Sequence, residues 1–483
     1  MHEVINLGVS HRAGHILTQF FNCREKQLLD NNDNGCDAKV FLHGTLDGGG
    51  QSMSYEPRAV LWDAKNGSGS LGKYQYVSEA DYCVDDSKEQ ELLQSLSQET
   101  AGGGDAAGAQ VIHTGRRIQR SSYQAALDRN GAVPILERSA AKYWSDYCRM
   151  VYGPSSVNEL ERWYHNAQEP EKAPDYEQLG QRAFESYAVG LEEFRGNCLL
   201  RFFEDSLHAQ LEQCDSLQGF NVVSEVDNGW GGFSSGMVIE LKDELPKVEY
   251  FCWGLNEDAE VGGSGTQGRR GRLLEHNRIR ATLTMVEESS VYVPLYSVGG
   301  LSHWEFGGRV CQAFDSVNMV AGHGVSLAYL VDVLTLADVQ RNVVDLVRTD
   351  GGREDGFWGR VPRRKAGGRE RMGSEVFSQV RIMRSRCGAG AGAGEDADAR
   401  RRKVLWTDRW APSDTIPEDY RQLRHVDLGI TEKSRDVFLN WQDVVTRQFR
   451  YDSDREELKE KLGTLASVYE SGWYDDGDEG DDC

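Results

Sequence analysis

The sequence lacks a long apolar run, a paired-cysteine motif and an excess of basic residues. No stretch approaches the roughly 18 consecutive apolar residues that a membrane span requires. The ten cysteines include no C-x-x-C pair, and reduced thiols in a cytosol-facing protein fit them best. Lys and Arg total 54 against 77 Asp and Glu, a net charge of −23. A surface of that sign repels a phosphate backbone, so we expect no direct contact with nucleic acid.

Targeting and catalytic signatures are also absent. Arg12 is the only Lys or Arg among the first twenty residues, which contain no apolar signal core. We therefore expect neither a secretory signal nor a cleavable mitochondrial presequence. The chain has no H-E-x-x-H or Cys/His zinc spacing.

The N-terminal half alternates strand and helix patterns. Apolar strands are predicted at 4–9, 59–63, 220–226 and 248–254. From Tyr187 to Cys214, apolar residues recur every three, four or five positions, which predicts one face of a long helix. We therefore expect residues 1–255 to form a mostly parallel sheet with helices on both faces. The four predicted strands should be adjacent or nearly adjacent in this sheet.

A glycine-rich segment, Asp227–Gly236, follows the third of these strands. We predict that it is a loop and that a helix follows from Met237 to Leu245, before Pro246. The order strand, glycine loop, helix, strand is typical of sites where phosphates bind backbone N–H groups.

Residues 273–483 are predicted to form an α+β region with a strand at 290–295 and a helix at 326–334. Flexible insertions are expected at about 349–373 and 386–403, a flexible loop at about 97–110, and an acidic tail at 474–483. The basic runs within the two insertions are either solvated or contact anionic lipid or an acidic partner.

Two further patterns are weak. Gly67–Lys73 nearly spells a Walker A loop, but Tyr74 stands where a magnesium-binding hydroxyl is required, so we expect a turn. His11 and His15 are one helical turn apart and could hold a metal. Because the sequence offers no evident third ligand, we interpret them as surface or pocket-lining histidines and expect no metal.

Several segments together resemble the tubulins. Residues 1–16 resemble the first tubulin strand and helix, and 57–61 with Asp63 resemble the strand that ends in the acidic magnesium loop. Residues 214–237 are similar to the segment that carries the tubulin glycine signature. Within that superfamily, residues 69–72, 143–147 and 227–233 resemble the Misato family more closely.

The resemblance implies a tubulin-like α/β fold with a Rossmann-like N-terminal domain. It also implies a role in partitioning the mitochondrial organelle and in mitochondrial DNA inheritance, through mitochondrial distribution and morphology. Protein partners, such as cytoskeletal or tubulin-folding machinery, are implied, together with a place at the mitochondrial surface and in the cytoplasm.

The first phosphate turn and the magnesium loop depart from the tubulin pattern. Ser10, His11 and Arg12 replace glycine, glutamine and cysteine, and Lys65 falls where a second acid belongs. We therefore expect a non-enzymatic interaction protein without catalytic residues or bound cofactor. GTP is the one ligand that a tubulin-like fold would still allow. The alternative is an active tubulin-like GTPase that assembles into filaments. The residues expected to converge in a vestigial phosphate pocket are Gly8, His11, Asp63, Gly231, Gly232 and Ser235.

Overall fold

The computed structural model describes residues 3–30, 36–46, 53–72, 118–177, 182–257, 268–297, 299–350, 353–356, 375–385, 402–450 and 452–470. The strands are β1 (Glu3–Val9), β2 (Leu42–Leu46), β3 (Met53–Pro57), β4 (Ala59–Lys65), β5 (Val157–Tyr164), β6 (Asp175–Tyr176), β7 (Leu217–Glu225), β8 (Glu249–Asn256), β9 (Val291–Tyr296), β10 (Asp345–Asp350), β11 (Arg353–Gly356), β12 (Val376–Ser385), β13 (Arg402–Asp408) and β14 (His425–Thr431).

The helices are α1 (His11–Leu29), α2 (Ser122–Asp128), α3, α4 (Gly229–Glu244), α5 (Arg269–Glu288), α6 (His303–Gly322), α7 (Leu327–Thr335), α8 (Lys433–Gln448) and α9 (Arg455–Val468). Helix α3 is a continuous helical stretch composed of Tyr187–Glu193, Phe194–Cys198, Leu199–Arg201, Phe202–Leu207 and His208–Glu212. A short 3-10 turn, Trp144–Tyr147, precedes β5.

The first sheet has seven strands in the order β6-β5-β4-β1-β7-β8-β9. All neighbours are parallel except β6, which is antiparallel to β5. The strands predicted at 4–9, 59–63, 220–226 and 248–254 are β1, β4, β7 and β8, four neighbours in this sheet, so the predicted parallel sheet is confirmed. Every residue of β1 is buried, as expected for a central strand covered on both faces.

Helices cover both faces of this sheet. Leu61 and Trp62 are successive residues of β4 and therefore point to opposite faces. On one face, Leu61 and Leu17 of α1 both crowd the position where a side chain at Gly8 would begin. On the other face, the rings of Trp62 and Phe233 of α4 lie 5.4 Å apart. The expected α/β architecture is confirmed.

Helix α3 contains two π-helical turns, Phe194–Cys198 and Phe202–Leu207. The second π turn coincides with the five-residue step from Phe202 to Leu207 in the apolar pattern. The wider turn keeps both side chains buried on the same face of the helix. The predicted long helix is therefore confirmed.

The predicted glycine loop at 227–236 is wrong for most of its length, because α4 already begins at Gly229. Asn228 caps the helix, since its Oδ1 accepts a hydrogen bond of 2.9 Å from the N–H of Trp230. Glycine lowers helix propensity, but here it allows close approach of another helix. A Cβ at Gly232 would lie 1.8 Å from the carbonyl oxygen of Tyr187 in α3.

A second sheet has the order β11-β10-β14-β12-β13, in which only β12 and β13 are parallel neighbours. Helix α6, every residue of which except Glu305 is buried, packs between α1 and strands β12 and β13 of this sheet. The predicted strand at 290–295 and helix at 326–334 are present as β9 and α7.

The first predicted flexible insertion begins too early, and the second ends too late. Residues 349–350 belong to β10, which pairs with β14, and 353–356 form β11. Arg402 and Lys403 open β13, where they pair with β12. The predicted loop at 97–110, the rest of both insertions and the tail at 474–483 lie outside the described residues. Strand β9 lies beyond residue 255 and pairs with β8, and the division into two domains stays a prediction.

Within the described ranges, no single helix has the length and apolar character of a membrane span. Helices α6 and α7 meet those criteria only as a pair, and the pair is bent by 115°.

Candidate functional site

A cavity of about 710 Å³ lies at the carboxyl ends of the parallel strands. His11 and Arg12 enter it after β1, His165 after β5, and Glu225 at the end of β7. His303, the first residue of α6, lines it from the side. In a doubly wound sheet this is the edge where ligands bind.

The turn from β1 into α1 has a backbone conformation that usually requires glycine. Ser10 has φ 123°, which is unfavourable for a residue with a Cβ. Its hydroxyl accepts a hydrogen bond of 3.2 Å from the N–H of Ala13, so Ser10 also caps α1. The turn thus retains a tight strand-to-helix geometry and directs His11 and Arg12 toward the cavity.

Three buried histidines form one cluster, referred to below as the histidine cluster: His11, His15 and His303. Nδ1 of His11 lies 2.9 Å from Nδ1 of His303, and Nδ1 of His15 lies 2.7 Å from the Tyr147 hydroxyl. Burial holds the pKa of all three rings below the usual value, to about 3 for His15. They are therefore neutral at physiological pH.

A fourth imidazole, His165, has a different electrostatic environment. Its Nε2 lies 2.8 Å from Oδ1 of Asp63, and its Nδ1 lies 3.1 Å from the carbonyl oxygen of Lys172. Burial alone lowers the pKa of His165, but the Asp63 carboxylate outweighs burial and raises it overall. Oδ1 of Asp63 also accepts a hydrogen bond from the N–H of Ala64. In this arrangement Asp63 orients and charges a histidine.

Arg12 and its surrounding carboxylates complete the cavity. Its guanidinium Nε lies 3.9 Å from Oε1 of Glu225. Burial lowers the pKa of Arg12, but Glu225, Asp227 and Glu257 raise it overall. Six carboxylates line the cavity, against three side chains of Lys and Arg: the acids are Glu169, Glu171, Asp175, Glu185, Glu225 and Glu257, and the bases are Arg12, Lys172 and Arg270.

The N-terminal amides of α4 already have partners within the protein. The N–H of Gly229 donates to the carbonyl oxygen of Phe184 at 3.0 Å, and that of Gly231 donates to the carbonyl oxygen of Asn228 at 3.1 Å. The N–H of Trp230 is bonded to the Asn228 side chain. Phosphate binding at a helix N-terminus requires free amides and a favourable charge. Bonded amides and excess carboxylates do not fit a nucleoside triphosphate.

The predicted site residues therefore divide into three groups. His11 lies in the cavity, and Asp63 reaches its edge through His165. Gly231, Gly232 and Ser235 lie within α4, the two glycines against Val226 and Tyr187. Gly8 lies under Leu17 and Leu61, where a Cβ would approach them to 2.8 and 2.7 Å, so it allows α1 to pack on the sheet.

Sequence reasoning missed His165 and His303. His303 follows Ser302, which forms a capping box with Glu305, and the spacing S-x-x-E before an apolar run is a recognisable helix start. His165 directly follows β5. That strand, Val-Asn-Glu-Leu-Glu-Arg-Trp-Tyr, mixes charged and apolar residues without a regular alternation. The strand is therefore not predicted, and the histidine that follows it has no predicted position.

Comparison with known families identifies two tubulin-related segments. Residues 2–129 match the Misato Segment II tubulin-like domain, and residues 133–322 match the Tubulin domain. The second segment spans β5 to α6 and therefore includes most of the cavity.

Similarity to individual curated proteins extends over the full chain. Protein DML1 of Eremothecium gossypii is 47% identical, with 100% of both chains covered. Protein DML1 of Kluyveromyces lactis is 42% identical with 99% of each chain covered, and Protein dml1 of Aspergillus clavatus is 25% identical over 100% of both. With the parallel sheet and its cavity, these similarities show that the chain belongs to the Misato/DML1 family of tubulin-related proteins.

Proposed function

We propose that this protein is a non-enzymatic, tubulin-related protein that acts in partitioning of the mitochondrial organelle and in inheritance of mitochondrial DNA. It acts through mitochondrial distribution and morphology, by binding protein partners at the mitochondrial surface and in the cytoplasm. Cytoskeletal and tubulin-folding proteins are the partner classes that a tubulin-derived fold suits. The family resemblance supports the cellular role, and the cavity supports the mode of action.

The observation that carries the non-enzymatic assignment is the state of the α4 N-terminus. GTP turnover in a tubulin-like site requires amides free to cradle phosphates and a metal ion to neutralise charge. Here the amides of Gly229, Trp230 and Gly231 are bonded within the chain. Helix α3 lies so close that a Cβ at Gly190 would meet the Gly229 carbonyl oxygen at 1.6 Å.

The charge of the cavity supports the same assignment. Each carboxylate near a phosphate adds repulsion in a partly buried site, where screening is weak. Glu225, at the end of β7, is buried beside the α4 N-terminus, and burial raises its pKa. Asp227 accepts a hydrogen bond of 2.6 Å from the N–H of Glu257 and lies 3.7 Å from Arg278. Its carboxylate thus joins two strand ends, a structural role.

A nucleotide assay on the purified full chain tests the mode of action. We expect no stoichiometric guanine nucleotide after purification and no magnesium-dependent GTP hydrolysis at concentrations that let tubulins polymerise. Asp63→Asn provides the comparison, because it removes the carboxylate predicted at the former magnesium loop. Magnesium-dependent turnover that Asp63→Asn abolishes would establish the GTPase alternative.

A depletion and rescue experiment tests the cellular role. Depleting the protein is expected to fragment or misplace mitochondria and to reduce transmission of mitochondrial DNA. Re-expression of the Asp63→Asn chain is expected to restore both, provided that immunoblotting shows equal abundance. Normal mitochondria and DNA transmission after depletion would refute the role. Rescue by wild type but not by an equally abundant Asp63→Asn chain would contradict the non-enzymatic mechanism.

A further inference from the structure

We propose that the histidine cluster is a binding site for one divalent transition-metal ion of the zinc type. One nitrogen from each of His11, His15 and His303 lies within 4.8 Å of the other two. Nitrogens around one zinc ion lie at about 2.0–2.1 Å from the metal and therefore about 3.3 Å from one another. The cluster exceeds that separation by no more than about 1.5 Å.

Two of the ring nitrogens are buried without a partner. Nε2 of His11 and Nε2 of His15 make no hydrogen bond in the structure. A buried polar atom with no hydrogen-bond partner is destabilising, and most buried polar atoms in proteins have a partner. Two orphaned nitrogens in one cluster therefore point to a ligand that accepts their lone pairs.

The hydrogen bonds around His15 are compatible with metal binding through Nε2. Tyr147 Oη lies 2.7 Å from Nδ1, and burial raises the pKa of Tyr147, so the phenol keeps its proton. With Nδ1–H of His15 donating to the Tyr147 oxygen, the ring takes the tautomer that leaves Nε2 free, as around many metal-bound histidines.

The carboxylates around the cluster outnumber the cationic groups by one. The cationic groups facing the cluster are Arg12 and His165, and they are offset by Glu225 at 3.9 Å from Arg12 and Asp63 at 2.8 Å from His165. Glu171 adds a further carboxylate, since its Oε1 accepts the backbone N–H of His303 at 2.9 Å. The three cluster rings are neutral, which is the form that binds metal.

The choice of metal follows from the ligands. Imidazole nitrogen suits zinc, copper, iron and nickel, whereas magnesium and calcium prefer oxygen. His11 and His15 lie on α1, and His303 is the first residue of α6, 288 positions beyond His15. A bound ion would therefore tie the helix that follows β1 to the helix that packs against the second sheet. This inference does not depend on the proposed cellular function.

Metal titration of the untagged full chain is the direct test. After removal of metal with a chelator, we expect the wild-type protein to bind one equivalent of zinc in calorimetry. His15→Asn and His303→Asn should abolish this binding, and Tyr147→Phe should weaken it about 10–100-fold, as loss of a ligand's hydrogen-bond partner does. His208→Asn, which changes an exposed histidine of α3, should bind like the wild type.

X-ray absorption at the zinc edge of the wild-type protein provides a measurement that does not depend on any variant folding. We expect imidazole nitrogen and oxygen scattering with no sulfur, although the chain has ten cysteines. Circular dichroism establishes which variants are folded. The proposal is overturned by the absence of saturable zinc binding to the wild type, by sulfur ligation, or by stoichiometric binding that persists in a folded His15→Asn/His303→Asn double variant.

Discussion

Two polar clusters among the described interior residues are buried in opposite ways. In the first, Asp315 of α6 lies between Arg24 of α1 and Arg384 of β12, and each carboxylate oxygen pairs with one arginine. Asp315 is fully buried, and the two arginine side chains are 8% and 2% exposed. In the second, the histidine cluster, the rings are neutral and two nitrogens have no partner.

The difference separates a structural role from a ligand-binding one. The Asp315 pairs join the helix next to the first sheet with a strand of the second sheet, and their charges are neutralised within the chain. Such a cluster holds elements together, because its charged groups are one another's partners. The histidine cluster lies beside a cavity and leaves lone pairs unused, which is typical of a site completed by something else.

The largest effect is expected from Asp315→Asn. Removing the carboxylate leaves two buried arginines unpaired, so the free energy of unfolding should fall by about 3–5 kcal/mol. Urea unfolding of the purified proteins measures this change. Arg162→Ala is the matched control, because the Arg162–Glu177 pair is about half exposed, and exposed pairs contribute about 1 kcal/mol or less. Equal losses of stability in the two variants would show that the buried Asp315 pairs contribute no more than the half-exposed Arg162–Glu177 pair.

The next largest effect concerns the contact that closes the former phosphate segment. Gly232→Ala should lower the free energy of unfolding by an amount near the top of the ~1–3 kcal/mol range for overpacking. The reason is that its new Cβ meets the Tyr187 backbone at 1.8 Å. Gly196→Ala in α3 is the control, since nothing lies within 4 Å of its Cβ position and alanine favours helix. A neutral Gly232→Ala would mean that α3 and α4 do not pack this closely.

The parallel sheet could be predicted from the sequence because its central strands are short apolar runs bounded by turn residues. The period and length of these apolar runs distinguish strands from helices, and the tubulin-like motifs predict the order of the strands in the sheet. The start of α4 could not be predicted from local pattern, since glycines at 229, 231, 232 and 236 oppose helix formation. The packing of α3 against these glycines, together with the Asn228 cap, explains why they are helical.

The cavity could be predicted only in part. The sequence places His11 near the cavity because His11 directly follows a recognisable strand, and Asp63 near it because Asp63 lies toward the carboxyl end of another. His303 comes from a helix almost three hundred residues away, and no spacing rule connects it with His11. The topology of the fold, and not the local sequence, brings such distant residues together. No sequence motif could therefore predict the third imidazole.

The pH dependence of folding stability tests whether burial keeps His15 of the histidine cluster neutral. Its pKa is about 3 in the folded state, against about 6.5 when unfolded. Between these values the unfolded state binds more protons, so stability falls as the pH decreases. His11 and His303 act in the same direction, whereas the raised pKa of His165 adds stability at low pH that is lost as the pH rises.

Replacing His15 shows how much of the pH dependence of the free energy of unfolding comes from this residue. Between pH 7 and 5, in the presence of a chelator, wild type should lose about 2 kcal/mol more than His15→Asn. Denaturant unfolding at several pH values measures the difference, and His208→Asn should follow the wild type. Parallel curves for wild type and His15→Asn would show that the ring is not held neutral by burial.

The smallest effect is expected from Ser235→Ala, which separates a vestigial phosphate ligand from a packing residue. Oγ of Ser235 is buried in α4 without a hydrogen-bond partner, so removing it should leave the free energy of unfolding unchanged or raise it by up to about 1 kcal/mol. Its neighbour provides the control: Oγ of Ser234 donates to the Gly231 carbonyl oxygen at 3.3 Å, and Ser234→Ala should lower stability by about 0.5–1.5 kcal/mol.

Both variants are then titrated with GTP and magnesium. Because Ser235 lies inside α4, behind the bonded amides at the helix N-terminus, Ser235→Ala and wild type should be indistinguishable in this titration. A wild-type chain that binds GTP and loses affinity on Ser235→Ala would instead place phosphate against α4, contrary to the bonded amides at its N-terminus.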